Sequence, residues 1–442
     1  MIINLGIGSL PAKSITTYTN AIPSPSVSLS YQPARLVTNA SEVLPGDLFC
    51  ALKGKVDGHA FIGEAIARGA SLVLCENAQP QNLPTLTVKS TYAALGDWAE
   101  AALHRRRKTV IAITGSVGKT TLKNTLSAFL SSVSPTHATV ENQNNALGVP
   151  FTVLSAPLDT RYLVAECGSN HPGEIAYLSR ILHPNIAVVT CIGHAHVGAF
   201  GSREGIAREK LSIADHMAPG GALFLPFGET LTASLSPAAY TRSFVKLPSE
   251  AERRKWGIEE SDVAALWAFS YTKAIGRYLG LPFDGQAKRL HLAASSRRKL
   301  FAEKEILWIE DCYNASPESV YAALIFLSSH RGGRVAILGD MLELGERATA
   351  MHRAMGKLAA LSADRCFFFG EYAEEYAKGA MEAGATRLER SRRRYSVLKG
   401  DALQMARSVL PQLKKGDTVL AKASHALHAE ILLHQIKETY IP

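Results

Sequence analysis

The passage from Thr109 to Leu130 restricts the fold more than any other part of this chain. A run of β-branched and apolar residues, Thr109-Val110-Ile111-Ala112-Ile113-Thr114, stops at Gly115. After Ser116-Val117-Gly118 the chain enters Lys119-Thr120-Thr121 and a stretch with helical spacing, TLKNTLSAFL. A buried strand that feeds a helix through a glycine-rich turn aims backbone N–H groups at an anion, and the helix N-terminus adds a favourable field. In such a loop Lys119 reaches terminal phosphates and the Thr120 hydroxyl ligates Mg²⁺. Residues Gly115, Ser116, Val117, Gly118, Lys119, Thr120 and Thr121 are therefore expected to bind the phosphates of ATP or GTP. The general phosphate-loop pattern asks for another glycine where this chain has Ile113, so a glycine-rich turn without ligand is the plainer alternative.

The rest of the chain is organised around that passage. At 442 residues it is too long for one ordinary domain. Three blocks are expected, at 1–105, 106–292 and 293–442. The first holds short β-like runs, a helical pattern at AFIGEAIARGA and an apolar strand at SLVLCE. The second adds strands at RYLVAE and NIAVVTCIG, separated by helical segments, which predicts a parallel sheet wrapped by helices. In the third, the strands ILWIED, RVAILGD, CFFFGE and TVLAKAS alternate with helices and end in Gly, Asp or Ser. Those strand ends are expected along one sheet edge, where open α/β folds bind ligands. The stretch 222–260 has no readable pattern.

Charge and cysteine content exclude several classes. The formal charge is +9, but the basic residues are dispersed, with short clusters only at Arg105-Arg106-Arg107-Lys108 and Arg392-Arg393-Arg394. Neither cluster is interleaved with aromatics, so no nucleic-acid module is expected, and a solvated basic face that attracts anionic nucleotides suffices. The six cysteines show no CxxC pair and no ligand-like spacing. Together with the absence of a secretory pattern or a spanning apolar run, this predicts a cytoplasmic protein in a reducing compartment.

Several motifs, taken in order, resemble the Mur ligase family. The shorter loop TGSVGKTT is similar to that family's phosphate loop. Asn142-Gln143-Asn144-Asn145 with Gly148-Val149-Pro150 looks like its NxNNxxGxP segment. Glu166 falls where the family has a magnesium-binding glutamate, and Ile192-Gly193-His194-Ala195-His196 is similar to IGxAH, whose histidine contacts a second magnesium. Lys210 falls on a lysine that the family carbamylates. Asp311-Cys312-Tyr313-Asn314-Ala315-Ser316-Pro317 resembles DxYNANP, and Leu338-Gly339-Asp340-Met341-Leu342-Glu343-Leu344-Gly345 with His352 resembles LGDMxELG…H. The resemblance implies an α/β fold of three domains: a small N-terminal domain for a UDP-sugar-type substrate, a central ATP-binding parallel sheet, and a Rossmann-like C-terminal domain for the incoming amine. The last two segments are similar to the branch that joins D-alanyl-D-alanine to UDP-N-acetylmuramoyl-tripeptide in peptidoglycan synthesis. Small-molecule substrates and a monomer are expected.

Amide formation needs a leaving group better than oxide, which attack of the carboxylate on the ATP γ-phosphate supplies as an acyl phosphate. Positioning and charge neutralisation carry such phosphoryl transfer. Lys119, Lys210 and His196 are the expected catalytic residues. Thr120, Glu166, His196 and Lys210 are the expected magnesium ligands, with two ions implied and Lys210 carbamylated. Each has a plainer alternative: a capping or salt-bridged Glu166, a packed His, a solvated Lys210. Asn314 is expected against adenine and Asp340 against ribose or phosphate, with turn-stabilising roles as the alternative. His194 and His196, two positions apart, would share one side if the strand continued.

Two departures bear on the substrates. The family's D-[S/T]-R triplet in the UDP-binding domain reads Asn39-Ala40-Ser41, and a KGSR-like segment reads Lys422-Ala423-Ser424-His425. A paralogue joining another carboxylate and amine in cofactor, natural-product or polymer biosynthesis therefore stays open. So do a non-catalytic nucleotide-binding protein and, more remotely, a nucleic-acid-dependent ATPase.

Overall fold

The computed structural model describes residues 1–440 except 78, 81, 107, 237–239, 284–286, 295–298 and 384–393. Arg107, Arg392 and Arg393 of the two basic clusters lie outside the described residues.

Among the described residues, three six-stranded sheets form the frame. The first is mixed: four parallel strands, Arg35–Val37, Leu48–Cys50, Leu72–Cys75 and Thr85–Thr87, are flanked by the antiparallel edges Ile2–Asn4 and Ile22–Pro23. The second is wholly parallel, in the order Thr241–Val245, Ala222–Pro226, Ile186–Val189, Thr109–Thr114, Tyr162–Glu166, Thr136–Ala138. Its inner strands are buried on both faces, which is why they read as unbroken apolar runs rather than alternating ones. Successive strands depart to either side of Thr109–Thr114, so its carboxyl end is a topological switch point, where such sheets open a ligand crevice. The stretch 222–260, which showed no pattern, supplies the strands Ala222–Pro226 and Thr241–Val245 with the helices Thr230–Leu235 and Glu250–Trp256.

The third sheet runs Lys299–Glu303, Ile306–Asp311, Thr418–Lys422, Arg334–Leu338, Arg365–Phe368, Arg394–Val397, parallel except for its first strand. That first strand forms a hairpin through Lys304 and Glu305, both at positive φ (51° and 60°). Hairpin turns of this kind favour Asn-Gly or Asp-Gly, so Lys-Glu left no signal in the sequence.

The first two sheets share one continuous apolar core. The helix Thr91–His104 crosses their junction with Trp98 fully buried, and removing so large a buried side chain typically costs about 3–5 kcal/mol. Gly96 lets this helix approach the helix Glu174–Leu182: a Cβ there would stand 2.3 Å from the Tyr177 hydroxyl. The third sheet has its own clusters on its two faces.

Candidate active site

The loop at the switch point is held by the segment that follows the neighbouring strand Ile186–Val189. The Thr190 hydroxyl donates to Val117 O at 2.6 Å, and the Gly193 N–H donates to Ser116 Oγ at 2.9 Å. Gly115 has φ +139°, and a Cβ on it would meet Thr190 Oγ1 at 2.0 Å; Gly118, at φ +86°, stands at the N-cap of the helix Lys119–Ser131. No other residue type fits the first position, and the second favours glycine strongly. Lys119 folds back so that Nζ donates to Gly115 O at 2.7 Å. The Ser116 and Val117 N–H groups donate to Cys191, while the N-terminus of the helix Lys119–Ser131 and the Lys119 ammonium lie together at the loop, an arrangement that attracts an anion.

Glu166 ends its strand fully buried beside this loop. The Thr120 hydroxyl donates to its Oε2 at 2.6 Å, and Asn144 Nδ2 donates to its Oε1 at 2.9 Å. A buried carboxylate beside a hydroxyl, at the edge of a phosphate loop, is the hard-oxygen donor set that Mg²⁺ takes. Asn144, within a segment quoted above only for its spacing, is a contact that the sequence reading did not single out.

Lys210 is not on a solvated face. It lies on the helix Arg203–Leu211, is 2% exposed, and donates to Ser169 Oγ at 2.7 Å. Burial, aided by the positive charge of Lys119, brings its pKa from 10.5 down to about 7. A large share of its amine is thereby neutral near pH 7, the form able to react with CO₂.

The two histidines do not sit side by side on a continuing strand. The strand stops at Val189, and His196 adopts φ 62° at the start of the short helix Val197–Phe200. Each turns to a different carboxylate of the third unit. His194 Nδ1 lies 2.8 Å from Glu318 Oε1, and His196 Nδ1 pairs with Glu343. Its hydrogen bond with His196 draws the Glu343 pKa below the usual carboxylate value. Neither glutamate stood out in the sequence as a partner.

Between the second and third sheets the loop opens on a cleft of about 360 Å³. Lys119 and Thr120 form one wall, and Asp311, Tyr313, Asn314 and Lys422 the other. Lys422 is 2% exposed, ion-paired to Asp311 Oδ2 at 2.8 Å and donating to Asn314 O at 2.8 Å. It therefore sets the backbone that carries Asn314. Asp340 is not among the cleft-lining residues. It is buried, and its two oxygens accept the N–H groups of Glu371 and Tyr372 at 2.7 and 3.0 Å, so it braces the turn that follows the neighbouring strand Arg365–Phe368 rather than a turn of its own. In the first unit, Asn39 serves its own turn, accepting from the backbone and hydroxyl of Ser41.

Known proteins match this geometry along nearly the whole chain. Residues 35–113 match the family described as Mur ligase family, catalytic domain; residues 113–267 match the Mur ligase middle domain, and 296–425 the Mur ligase glutamate ligase domain. The UDP-N-acetylmuramoyl-tripeptide--D-alanyl-D-alanine ligase of Bacillus subtilis is 32% identical over 432 residues, covering 91% of this chain and 93% of that one. The ligase of the same name from Escherichia coli is 31% identical, covering 76% and 81%. Among solved structures, MurF from Acinetobacter baumannii superposes with a TM-score of 0.86 at 28% identity, covering 98% of this chain and all of that one. MurF ligase from Thermotoga maritima in complex with ADP gives 0.79 at 27% identity, covering 91% and 97%. The fold and site are those of an ATP-dependent ligase that forms ADP. The chain belongs to the Mur ligase family.

Proposed function

We propose that this chain activates the terminal carboxylate of UDP-N-acetylmuramoyl-tripeptide with ATP and joins it to the amine of D-alanyl-D-alanine, in the cytoplasm, during peptidoglycan precursor synthesis. The observation that carries this reading is the buried grouping at the cleft floor, where Thr120 meets Glu166 at 2.6 Å beside a loop shaped for phosphates. The matching names of relatives more than 30% identical over most of the chain support the substrate pair. Among the described residues no helix is long and apolar enough to cross a membrane.

In this reading residues 1–105 take the nucleotide-sugar end, 106–292 bind ATP, and 293–442 bring the amine. Within the loop 115–121, the N–H groups that open the helix Lys119–Ser131 and the Lys119 ammonium hold the β- and γ-phosphates. Thr120 and Glu166 would hold one Mg²⁺; carbamylated Lys210, with His196, would hold a second. Bound there, magnesium supplies positive charge against the phosphates as the bond to the γ-phosphate changes partners. Glu343 orients His196 through Nδ1, so the ring presents Nε2 as the ligand atom, the usual arrangement for a ligating histidine. Ser169 positions Lys210. Asn314, held through its carbonyl by Lys422, would face the adenine. Closing the third unit onto the second through Glu318 and Glu343 shields the acyl phosphate from water.

A second reading keeps the chemistry and changes the carboxylate and amine. It is favoured by Asn39-Ala40-Ser41, which is uncharged and in which the Ser41 hydroxyl donates to Asn39 Oδ1. Phosphate release from ATP, measured with each substrate alone and with both, separates the two. Release that requires UDP-N-acetylmuramoyl-tripeptide plus D-alanyl-D-alanine is expected. No release with that pair, but release with another carboxylate and amine, would install the second reading.

A further inference from the structure

A second cluster of metal-type side chains stands away from the ATP cleft, where the first unit docks on the second. Glu100 and His104 are four residues apart on the helix Thr91–His104, hence on one face. Opposite them, His183 ends the helix Glu174–Leu182 in a left-handed conformation, φ 39° and ψ 60°, uncommon for a side chain of this size. Glu100 Oε1 lies 2.8 Å from His183 Nε2 and 3.9 Å from His104 Nε2, and the two imidazole rings are 4.7 Å apart. One ligand atom from each of the three residues falls within 4.8 Å of the others.

The charges around the cluster favour a cation. Arg180 donates to the other oxygen of Glu100 and to Asp97 Oδ1 at 3.0 Å. Two carboxylates against one guanidinium leave one net negative charge facing the two imidazoles. The Arg180 bond also fixes the Glu100 carboxylate with Oε1 turned toward the histidines, as groups behind a metal ligand commonly do. The three side chains are 23–59% exposed, so an ion reaches them from solvent.

We propose that Glu100, His104 and His183 bind a divalent transition metal of the zinc class. Two imidazoles with one carboxylate suit that class, whereas Mg²⁺ prefers an all-oxygen octahedron. Glu100 and His104 come from the helix that leads out of the first sheet, and His183 belongs to the second unit. The ion therefore spans the junction and binds only the docked arrangement, which it stabilises by mass action. None of the three residues lines the ATP cleft.

The test is Zn²⁺ titration of the full chain by calorimetry, with Mg²⁺ in excess to occupy hard-oxygen sites, and Co²⁺ titration followed by visible absorption. One Zn²⁺ per chain is expected, with the Tm raised by Zn²⁺. His104→Ala and His183→Ala should each weaken binding by at least about tenfold and remove the Co²⁺ bands and the Tm response. His104 is exposed, so its variant keeps the fold and decides the matter even if His183→Ala unfolds. Failure of the chain to bind Zn²⁺ saturably, or unchanged affinity in His104→Ala, overturns the proposal, leaving the cluster an ion-pair network.

Discussion

The Thr120 hydroxyl and the Glu166 carboxylate are 2.6 Å apart, joining the first turn of the phosphate-loop helix to the end of the adjacent strand. The pair lies 46 residues apart in sequence and is buried.

Glu166→Gln keeps the shape of that pair and removes its charge. The Mg²⁺ concentration for half-maximal phosphate release should rise by about 10–100-fold, with the far-ultraviolet circular dichroism unchanged. An unaltered magnesium dependence would remove Glu166 from the metal site.

Lys119→Ala should abolish turnover, because the ammonium that folds back into the loop is lost, while thermal unfolding stays close to that of the parent chain. Retained turnover would show that the loop is not gripping the transferring phosphate.

Gly115→Ala should lose nucleotide binding. A methyl group there meets Thr190 Oγ1 at 2.0 Å and faces a φ of +139°, so either the loop or its anchoring segment must move. Equilibrium binding of ATP with Mg²⁺ is the measurement, and parent-like affinity would contradict the geometry.

Lys210→Ala should be inactive and partly restored by short-chain carboxylates that enter the vacated space, if the working form of Lys210 is the carbamate. Mass spectrometry or ¹³C NMR of the parent chain under labelled bicarbonate checks the same point. Full activity without added carboxylate would eliminate the role.

His352 is fully buried, with Nε2 accepting the Met341 N–H at 2.9 Å and Nδ1 donating to Ala348 O at 2.6 Å. Burial lowers its pKa from the ordinary 6.5, so the folded chain keeps it neutral. Unfolded chains take up a proton near pH 6.5 that the native state refuses. Its contribution is therefore complete above that pH and is lost as pH falls below it toward the lower native value. His352→Ala strands two buried backbone groups and should cost roughly 2–3 kcal/mol. Urea unfolding of parent and variant between pH 5 and 8 should show the variant less sensitive to acid; equal slopes would refute the assignment.

Rules that act within a few residues made much of this protein legible. Glycines 115 and 118, the apolar run before them and the helical spacing after them define the loop without reference to anything distant. The same holds for the parallel strands, whose burial on both faces writes itself as unbroken apolar runs, and for Glu166, a lone acid closing such a run. Where the local signal was weak, as in 222–260 or the Lys304-Glu305 hairpin, strand pairing decided the structure against propensity. The partners of the site residues were a different matter. Glu318 and Glu343 reach His194 and His196 across 124 and 147 positions, and Lys422 meets Asp311 across 111. Whether Lys210 is solvated or sealed, and whether Asp340 faces a ligand or braces the distant turn at Glu371 and Tyr372, depends on desolvation and on which chain segments pack nearby. Those quantities belong to the assembled fold, because dielectric environment and long-range pairing exist only once the sheets have docked.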